Sequence, residues 1–297
     1  MALFFVIHKA GSRSQPSNYR GISILCALAK LYDAILNSRL QKWFQPEIEQ
    51  AGAQKGRGCC EHITALRLLV DTARKSRKTL YCVFVDFAKA YDCLPRQKLI
   101  QLLDHEGCGS RMLNALAESL RYTRCQIGKE HFQTDNGVRQ GGSTYCSIFV
   151  FFANPLLRAL KSYGPDGWLG SLNALMFMDD TIILGTSRQA IESKLNILSE
   201  YCQEYGMTIN TKKTKYMVVN YNDQQPFMID GNPISRVDSY CYLGATISGD
   251  SISKQVVNET KRKQLHERKF YSFLTHHKVA PYCVKKSCVA QCHAQCH

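Results

Sequence analysis

An α+β fold is what this sequence predicts, and three features predict it. Strand-like and helix-like patterns are interleaved along the chain. The apolar run from Leu80 to Asp86 is too short for a helix and rich in β-branched and aromatic residues. A hairpin pattern sets Asp179 and Asp180 between two apolar half-strands.

The elements follow in order. Apolar residues at Ile24, Leu25, Leu28, Leu31, Tyr32, Ile35, Leu36 and Leu40 recur at helical spacing and predict a helix with one buried face. A second helix is expected from Glu61 to about Arg77, with Ile63, Leu66, Leu69 and Val70 inward. After the Leu80–Asp86 strand, Pro95 suits the first turn of a helix that stops before Gly107. Ser110 is placed to cap the next helix, through Leu120. A hairpin near Arg124–Thr134 leads to Gly141–Gly142, and a helix follows through Phe151. Ala174–Met178 and Thr181–Leu184 form the arms of the acidic hairpin. Ser187 reads as the N-cap of a helix ending at Gly206. Lys215–Val219 is a strand, Phe227–Ile234 a hairpin turning at Asp230-Gly231, and Tyr240–Ile247 a further strand. The basic remainder starts as a helix.

Composition narrows the class. Of 297 residues, 45% are hydrophobic and 21% charged, enough apolar material for a core and too much for a disordered chain. No apolar run reaches the length of a membrane span, and Met1–Ile7 is too short for a signal peptide, so the chain reads as soluble and intracellular, with no membrane partner. The net charge is +14, with denser basic groups at Arg74–Lys78, Lys212–Lys215 and Lys261–Lys269. That surplus favours a polyanionic partner, though a well-solvated surface has the same composition. Of fourteen cysteines, most outside the tail lie in apolar runs and read as small buried residues of a reducing compartment. The tail Cys283, Cys288, Cys292, His293, Cys296, His297 does not match common zinc spacings.

The acids carry the chemistry. Asp86 ends a buried strand, so its side chain can leave the sheet while its backbone stays fixed. Asp179 and Asp180 sit where a tight turn would present both carboxylates. Each signal alone is also that of an ordinary turn former. Together they supply hard oxygen ligands on rigid elements, as a pair of divalent cations requires.

The surrounding motifs give the set a family. Phe84-Val-Asp-Phe-Ala-Lys-Ala-Tyr-Asp92 resembles the first palm motif of reverse transcriptases of non-LTR (LINE-type) retrotransposons. Phe177-Met-Asp-Asp180 resembles their catalytic hairpin, and Gly137-Val-Arg-Gln-Gly141 the motif that meets template and incoming nucleotide. Asn18-Tyr-Arg-Gly-Ile-Ser23 is similar to N-Y-R-P-I-S of the fingers, and Gln54-Lys-Gly-Arg-Gly58 to a worn Q-x-G-F-R-x-G-R. Gly206, Asn210 and Lys213-Thr-Lys215 match a later palm motif, and Tyr242-Leu-Gly244 the primer grip. The resemblance runs from about residue 3 to 250.

It implies a right-hand polymerase fold with fingers at 1–79, palm at 80–225, primer-grip region at 226–250 and a truncated thumb or tail at 251–297. It implies an RNA-directed DNA polymerase that extends a primer 3′-hydroxyl with dNTPs on an RNA template, using two Mg²⁺ ions, or Mn²⁺, on Asp86, Asp179 and Asp180. Phe87 and Tyr91 would shape the nucleotide site, Tyr91 as an aromatic gate under the sugar. Gln140 and Gly141 would line the pocket, while Arg20, Lys9 and Lys213 would meet the triphosphate. Tyr242, Leu243 and Gly244 would grip the DNA primer. Asp92 reads as a turn cap rather than a ligand. The family implies action in the nucleus.

The chain departs from the family where C-P-L-S-P-L-L-F usually follows Gly141: here Gly-Ser-Thr-Tyr-Cys-Ser-Ile-Phe149 lacks both prolines. Gly21 replaces the fingers proline, and no endonuclease region or full thumb is recognisable, so the chain reads as a fragment or a decaying copy. Two other readings therefore stand beside the polymerase. One is a catalytically weak or inert remnant that binds nucleic acid. The other is an RNA-dependent RNA polymerase, against which Met178 and Tyr91 argue.

Overall fold

The computed structural model describes residues 2–8, 11–15, 18–121, 124–127, 130–138 and 141–249. Their centre is the strand β3 (Leu80–Val85), buried along its whole length. A strand covered on both faces can be apolar at every position, which is why its sequence reads as a continuous run. Alternation then divides it. Tyr81, Val83 and Val85 enter one core cluster, while Leu80, Cys82 and Phe84 enter another.

On either side of β3 lie β7 (Asp180–Gly185) and β8 (Lys215–Val219), both antiparallel to it. β6 (Ala174–Phe177), β9 (Phe227–Ile229) and β10 (Asn232–Arg236) complete a sheet in the order β6-β7-β3-β8-β10-β9. The β9–β10 turn, Asp230-Gly231, has both residues at positive φ, as a two-residue hairpin turn requires. A second sheet joins β2 (Tyr19–Ile24), β1 (Ala2–His8), β4 (Arg124–Ile127) and β5 (Glu130–Gln133) in that order. A separate hairpin is formed by β11 (Ser239–Tyr242) and β12 (Ala245–Ser248), where a single strand was expected; Leu243 and Gly244, both at positive φ, turn it.

The helices are α1 (Ala27–Trp43), α2 (Cys59–Lys75), the single turn α3 (Ala90–Cys93), α4 (Arg96–His105), α5 (Ser110–Arg121), α6 (Ser143–Ser162) and α7 (Arg188–Tyr205). α2 packs with the Phe84 face of the sheet, while α6 and α7 pack with the Val83 face. α6 runs eleven residues past the expected end at Phe151, through Pro155. Burial of Phe149, Val150, Phe151, Phe152, Leu156 and Leu157 outweighs the roughly 3 kcal/mol that an internal proline costs. α7 has the expected caps: Ser187 Oγ accepts the Ala190 N–H at 3.1 Å, and Gly206 ends the helix at φ 67°.

α1 corrects an expectation. Its buried positions are Asp33, Leu36 and Leu40, whereas Ile24, Leu28, Leu31, Tyr32 and Ile35 are exposed. The inner face is set by contact with α6: Thr144 donates its N–H to the Asp33 carboxylate (3.3 Å) and its hydroxyl to the Asp33 carbonyl (2.7 Å). A buried polar pair therefore chooses the face, and the apolar stripe is turned away from it. The cysteines are also less buried than expected. Of the nine whose side chains are described, only Cys82, Cys108 and Cys202 are buried. The Cys/His tail lies outside the described residues.

One ion pair fixes the far end of the sheet. Lys194 of α7, fully buried, donates to Asp166 (2.6 Å) and to the Leu184 carbonyl (2.6 Å), with its Nζ 4.7 Å from the centre of the Tyr163 ring. Asp166 also accepts from the Thr186 hydroxyl and N–H. Burial pulls the lysine's pKa below its ordinary value, opposed by Asp166. Removing one partner strands a buried charge, so Asp166→Ala is expected to cost about 3–5 kcal/mol in urea unfolding. A loss under 1 kcal/mol would show that the pair does not hold this end of the sheet.

Candidate active site

Alternation along β3 and β7 decides where the acids point. The ladder pairs Phe84 with Ile182 and Val85 with Thr181, which sets Asp86 against Asp180 at the next step. Phe84, Ile182 and Leu184 share one cluster, so even-numbered positions of both strands share a face. Asp86 and Asp180 thus leave the end of the sheet on the same side. Phe177 pairs with Asp180, leaving Met178 and Asp179 as a two-residue turn, with Met178 at φ 59°.

The backbone at Asp86 is tied down. Its N–H donates to Thr214 Oγ1 at 3.1 Å, and its carbonyl accepts the Asn210 N–H at 2.7 Å. Ala88 N–H reaches the Thr208 carbonyl, and Phe87, buried, bridges to Ile209. Segment 208–214 therefore holds the end of β3, with Thr214 itself fully buried.

The acids feel one another. Asp180 is pushed up to about 6, first by desolvation at the sheet end, then by Asp179, then by Asp86. Its side chain is exposed at the start of β7. Among the described residues, no His, Cys, Asp and Glu group closes into a ready-made ligand cage, these three included. The oxygen donors of Asp86, Asp179 and Asp180 fit a hard divalent ion.

The β11–β12 hairpin lies beneath. Tyr240 stacks on Phe84 with ring centres 4.1 Å apart, and Tyr242, buried, brings its hydroxyl within 3.5 Å of His62 Nδ1 on α2. Burial raises both phenols, with Asp180 adding to each and Asp86 also to Tyr240, so both stay protonated. Leu243 is half-buried and Gly244 exposed at the turn.

On the opposite side, half-buried Tyr91 stacks on Phe149 of α6, ring centres 4.6 Å apart. Its carbonyl accepts the Val138 N–H (2.8 Å), and the Leu94 carbonyl accepts that of Gly137 (2.8 Å). A side chain at Gly137 would strike the Asp92 backbone; Asp92 itself lies in α3. Gly141, at φ 142°, approaches the Ser23 carbonyl of β2 too closely for any Cβ. Lys213 is exposed in the turn after Asn210. The backbone of Arg20 pairs with Ile7 in β2, and its side chain, like Lys9 and Gln140, lies outside the described residues.

Sequence reasoning missed three residues here. Arg96 donates to the carbonyls of Gly137, Leu120, Thr134 and Asn136 and to the Thr134 hydroxyl, gripping the segment that enters 137–141. Thr214 was hidden between two lysines. Gln50 was hidden by a misplaced motif. The pattern Q-x-G-F-R-x-G-R fits Gln50, Gly52, Gly56 and Arg57 at full spacing, with Ala53 and Gln54 replacing F and R. The earlier register, starting at Gln54, is corrected, because Gln50 is the glutamine that meets the hairpin.

The sheet, its flanking helices and the β1–β2 unit have the mixed architecture of the right-hand polymerase fold. The reverse transcriptase (RNA-dependent DNA polymerase) family profile matches residues 7–247, and the chain belongs to that family. Members of the family use divalent metal ions. The chain is 27% identical over 280 residues to the Pol polyprotein of retrotransposable element R2 from Popillia japonica, covering 86% of this chain and 39% of that protein. It is 24% identical to a probable RNA-directed DNA polymerase from transposon X-element of Drosophila melanogaster, covering 93% and 32%. The chain thus spans well under half the length of these relatives. Apo telomerase from Candida tropicalis shares the fold with a TM-score of 0.56 at 14% identity, covering 83% of this chain and 53% of that one. Telomerase from Candida albicans, solved with a fragment of telomeric RNA, matches with a TM-score of 0.55 at 14% identity, covering 83% and 44%. No helix among the described residues is long and apolar enough to cross a membrane.

His62 gives this region a pH dependence. Burial, then Arg57, lower its pKa from 6.5 to about 4, so the folded chain keeps it neutral while the unfolded chain protonates it. The stability it contributes is full above pH 6.5 and is lost as pH falls towards 4, on the order of 3 kcal/mol. His62→Gln is expected to flatten that limb in urea titrations at pH 7, 5.5 and 4.5. An unchanged slope would contradict the shift.

Proposed function

We propose that the chain is the fingers and palm of an RNA-directed DNA polymerase that extends a DNA primer on an RNA template with dNTPs. The observation that carries this reading is the β3–β7 register, which sets Asp86 opposite Asp180 on one face beside Asp179. We assign fingers to 1–79, palm to 80–225, primer-grip region to 226–250 and thumb or tail to 251–297. The β4–β5 hairpin is an excursion of the palm segment into the fingers sheet. Action in the nucleus is part of this proposal, on the family resemblance alone.

Asp86, Asp179 and Asp180 would hold two Mg²⁺ ions, or Mn²⁺. When bound, such ions lower the pKa of a primer hydroxyl and neutralise a departing pyrophosphate. The chain's own groups do the positioning. The Tyr91 ring, kept flat by Phe149, sits under the incoming sugar and excludes a 2′-hydroxyl. Gly141 admits the base pair because it has no side chain, and Gln140 lines the same pocket. Arg20, Lys9 and Lys213 pair with triphosphate oxygens. Leu243 and Gly244 would seat the primer end, with buried Tyr242 anchoring their turn against α2 and β3.

The lost prolines after Gly141 favour the alternative of an inert remnant, but the loop has a local replacement. Thr144 hydrogen-bonds twice to Asp33 and pins the start of α6 to the fingers helix. That supports a shaped pocket.

Primer extension on an RNA template with Mg²⁺ and dNTPs tests the proposal. Wild type should extend and Asp86→Ala should not, with Tm changed by no more than about 3 °C. Tyr91→Val should lose about tenfold or more of its discrimination against rNTPs. RNA binding without extension by the wild type would establish the remnant, and equal use of rNTPs the RNA polymerase.

A further inference from the structure

We infer that Gln50 is a positioning residue that locks the Met178 turn and so sets where Asp179 and Asp180 present their carboxylates. The inference rests on the polymerase reading for its consequence in catalysis, but not for the clamp itself.

Met178 is a non-glycine residue at φ 59°, a conformation the chain leaves readily unless neighbours hold it. The neighbour is segment 49–52. Its backbone runs as a short parallel extension beside β6: Met176 N–H donates to the Glu49 carbonyl, and Ala51 N–H to the Met176 carbonyl, each at 2.9 Å. Between these bonds the Gln50 side chain, 1% exposed, turns towards the hairpin tip. Its Oε1 accepts the N–H groups of both Met178 (2.9 Å) and Gly52 (2.8 Å). Its Nε2 makes a longer contact, 3.4 Å, with the Met178 carbonyl. One amide thus addresses both polar groups of the strained residue.

The clamp is itself braced. The Gln50 N–H donates to the Glu47 carbonyl at 3.0 Å. The Gln50 carbonyl accepts from Arg57 Nη1 at 2.9 Å and from the Gln54 side-chain amide. Gly52 closes the other side. A Cβ there would lie 2.5 Å from Met178 Sδ and 2.6 Å from its nitrogen, so only glycine lets the two backbones meet.

The chemistry limits the substitutes. An apolar side chain of the same length would leave the Met178 and Gly52 N–H groups without Oε1, and the turn would relax to a common conformation. Asp179 follows Met178 directly, so a change in that turn re-aims the carboxylates. Misplacement by about 1 Å costs on the order of a hundredfold in rate. A glutamic acid keeps the carboxyl oxygen that accepts both N–H groups.

The test uses the full chain with Gln50→Met, Gln50→Glu and Gly52→Ala. Amide hydrogen exchange is followed for peptides covering 175–183 and, as controls, α6 and α7. Primer extension is measured in parallel. Gln50→Met and Gly52→Ala should each speed exchange at the hairpin tip by about tenfold or more, leaving α6 and α7 protected. The maximal extension rate of Gln50→Met should fall about a hundredfold, with the dNTP concentration at half-saturation within about threefold. Gln50→Glu should restore most of both properties. Unchanged tip protection in Gln50→Met overturns the clamp, as does protection lost equally across α6 and α7. If wild type fails to extend while the exchange pattern holds, the polymerase reading falls and the clamp stands.

Discussion

The antiparallel register between β3 and β7 is the constraint on which the rest depends. A shift of one residue would send Asp86 to the opposite face from Asp180 and turn Phe84 out of its cluster. Register is strongly specified here because both faces of β3 are buried. Cys82 and Phe84 must meet α2 and the β11–β12 hairpin, while Val83 and Val85 must meet the cluster of α6 and α7. The apolar packing of the two faces is thus what aligns the acids at the sheet end.

Around that aligned pair, segments distant in sequence reach the same few backbone groups. Thr214 and Asn210 hold the peptide at Asp86. Gln50 holds the peptide at Met178. Arg96 gathers the carbonyls of Leu120, Thr134, Asn136 and Gly137, and the Tyr91 carbonyl takes the Val138 N–H. The contacts at Asp86 and Met178 satisfy backbone groups just beyond the last ladder pairs of β3 and β6. There the sheet's hydrogen bonding is continued by the side chains of Thr214 and Gln50 and by the Asn210 N–H.

Much of this was legible in the sequence, for physical reasons. A doubly buried strand announces itself as an apolar run, and Ser187 and Gly206 mark α7 because caps are local chemistry. The places of the acids, after β3 and at a hairpin turn, were legible because those patterns are local too. The face of α1 was not, since Asp33 is buried by a contact with Thr144 that no local pattern encodes. Nor was the length of α6, where packing outweighs Pro155. Arg96 and Thr214 look like any surface arginine or turn threonine until the fold brings their acceptors and donors near. Gln50 was obscured differently, because Ala53 and Gln54 replace the two bulkier motif residues and drew the eye four positions along.

The site also works against the stability of the chain that carries it. Because Asp180 titrates near 6 when folded and at 3.8 otherwise, the folded state holds the extra proton between those values. Stability therefore falls as pH rises through that window and stays lower above it. Desolvation and the charges of Asp179 and Asp86 cause the loss, so it cannot be removed without dispersing the acids. The sheet tolerates it because both of its faces are packed, and because Tyr240 and Tyr242, whose phenols stay neutral, add no further charge beneath it. An array of carboxylates held together against its own repulsion favours any partner that brings positive charge, and its affinity for such a partner includes the strain that binding relieves. What weakens the fold is the same arrangement that would let it hold cations.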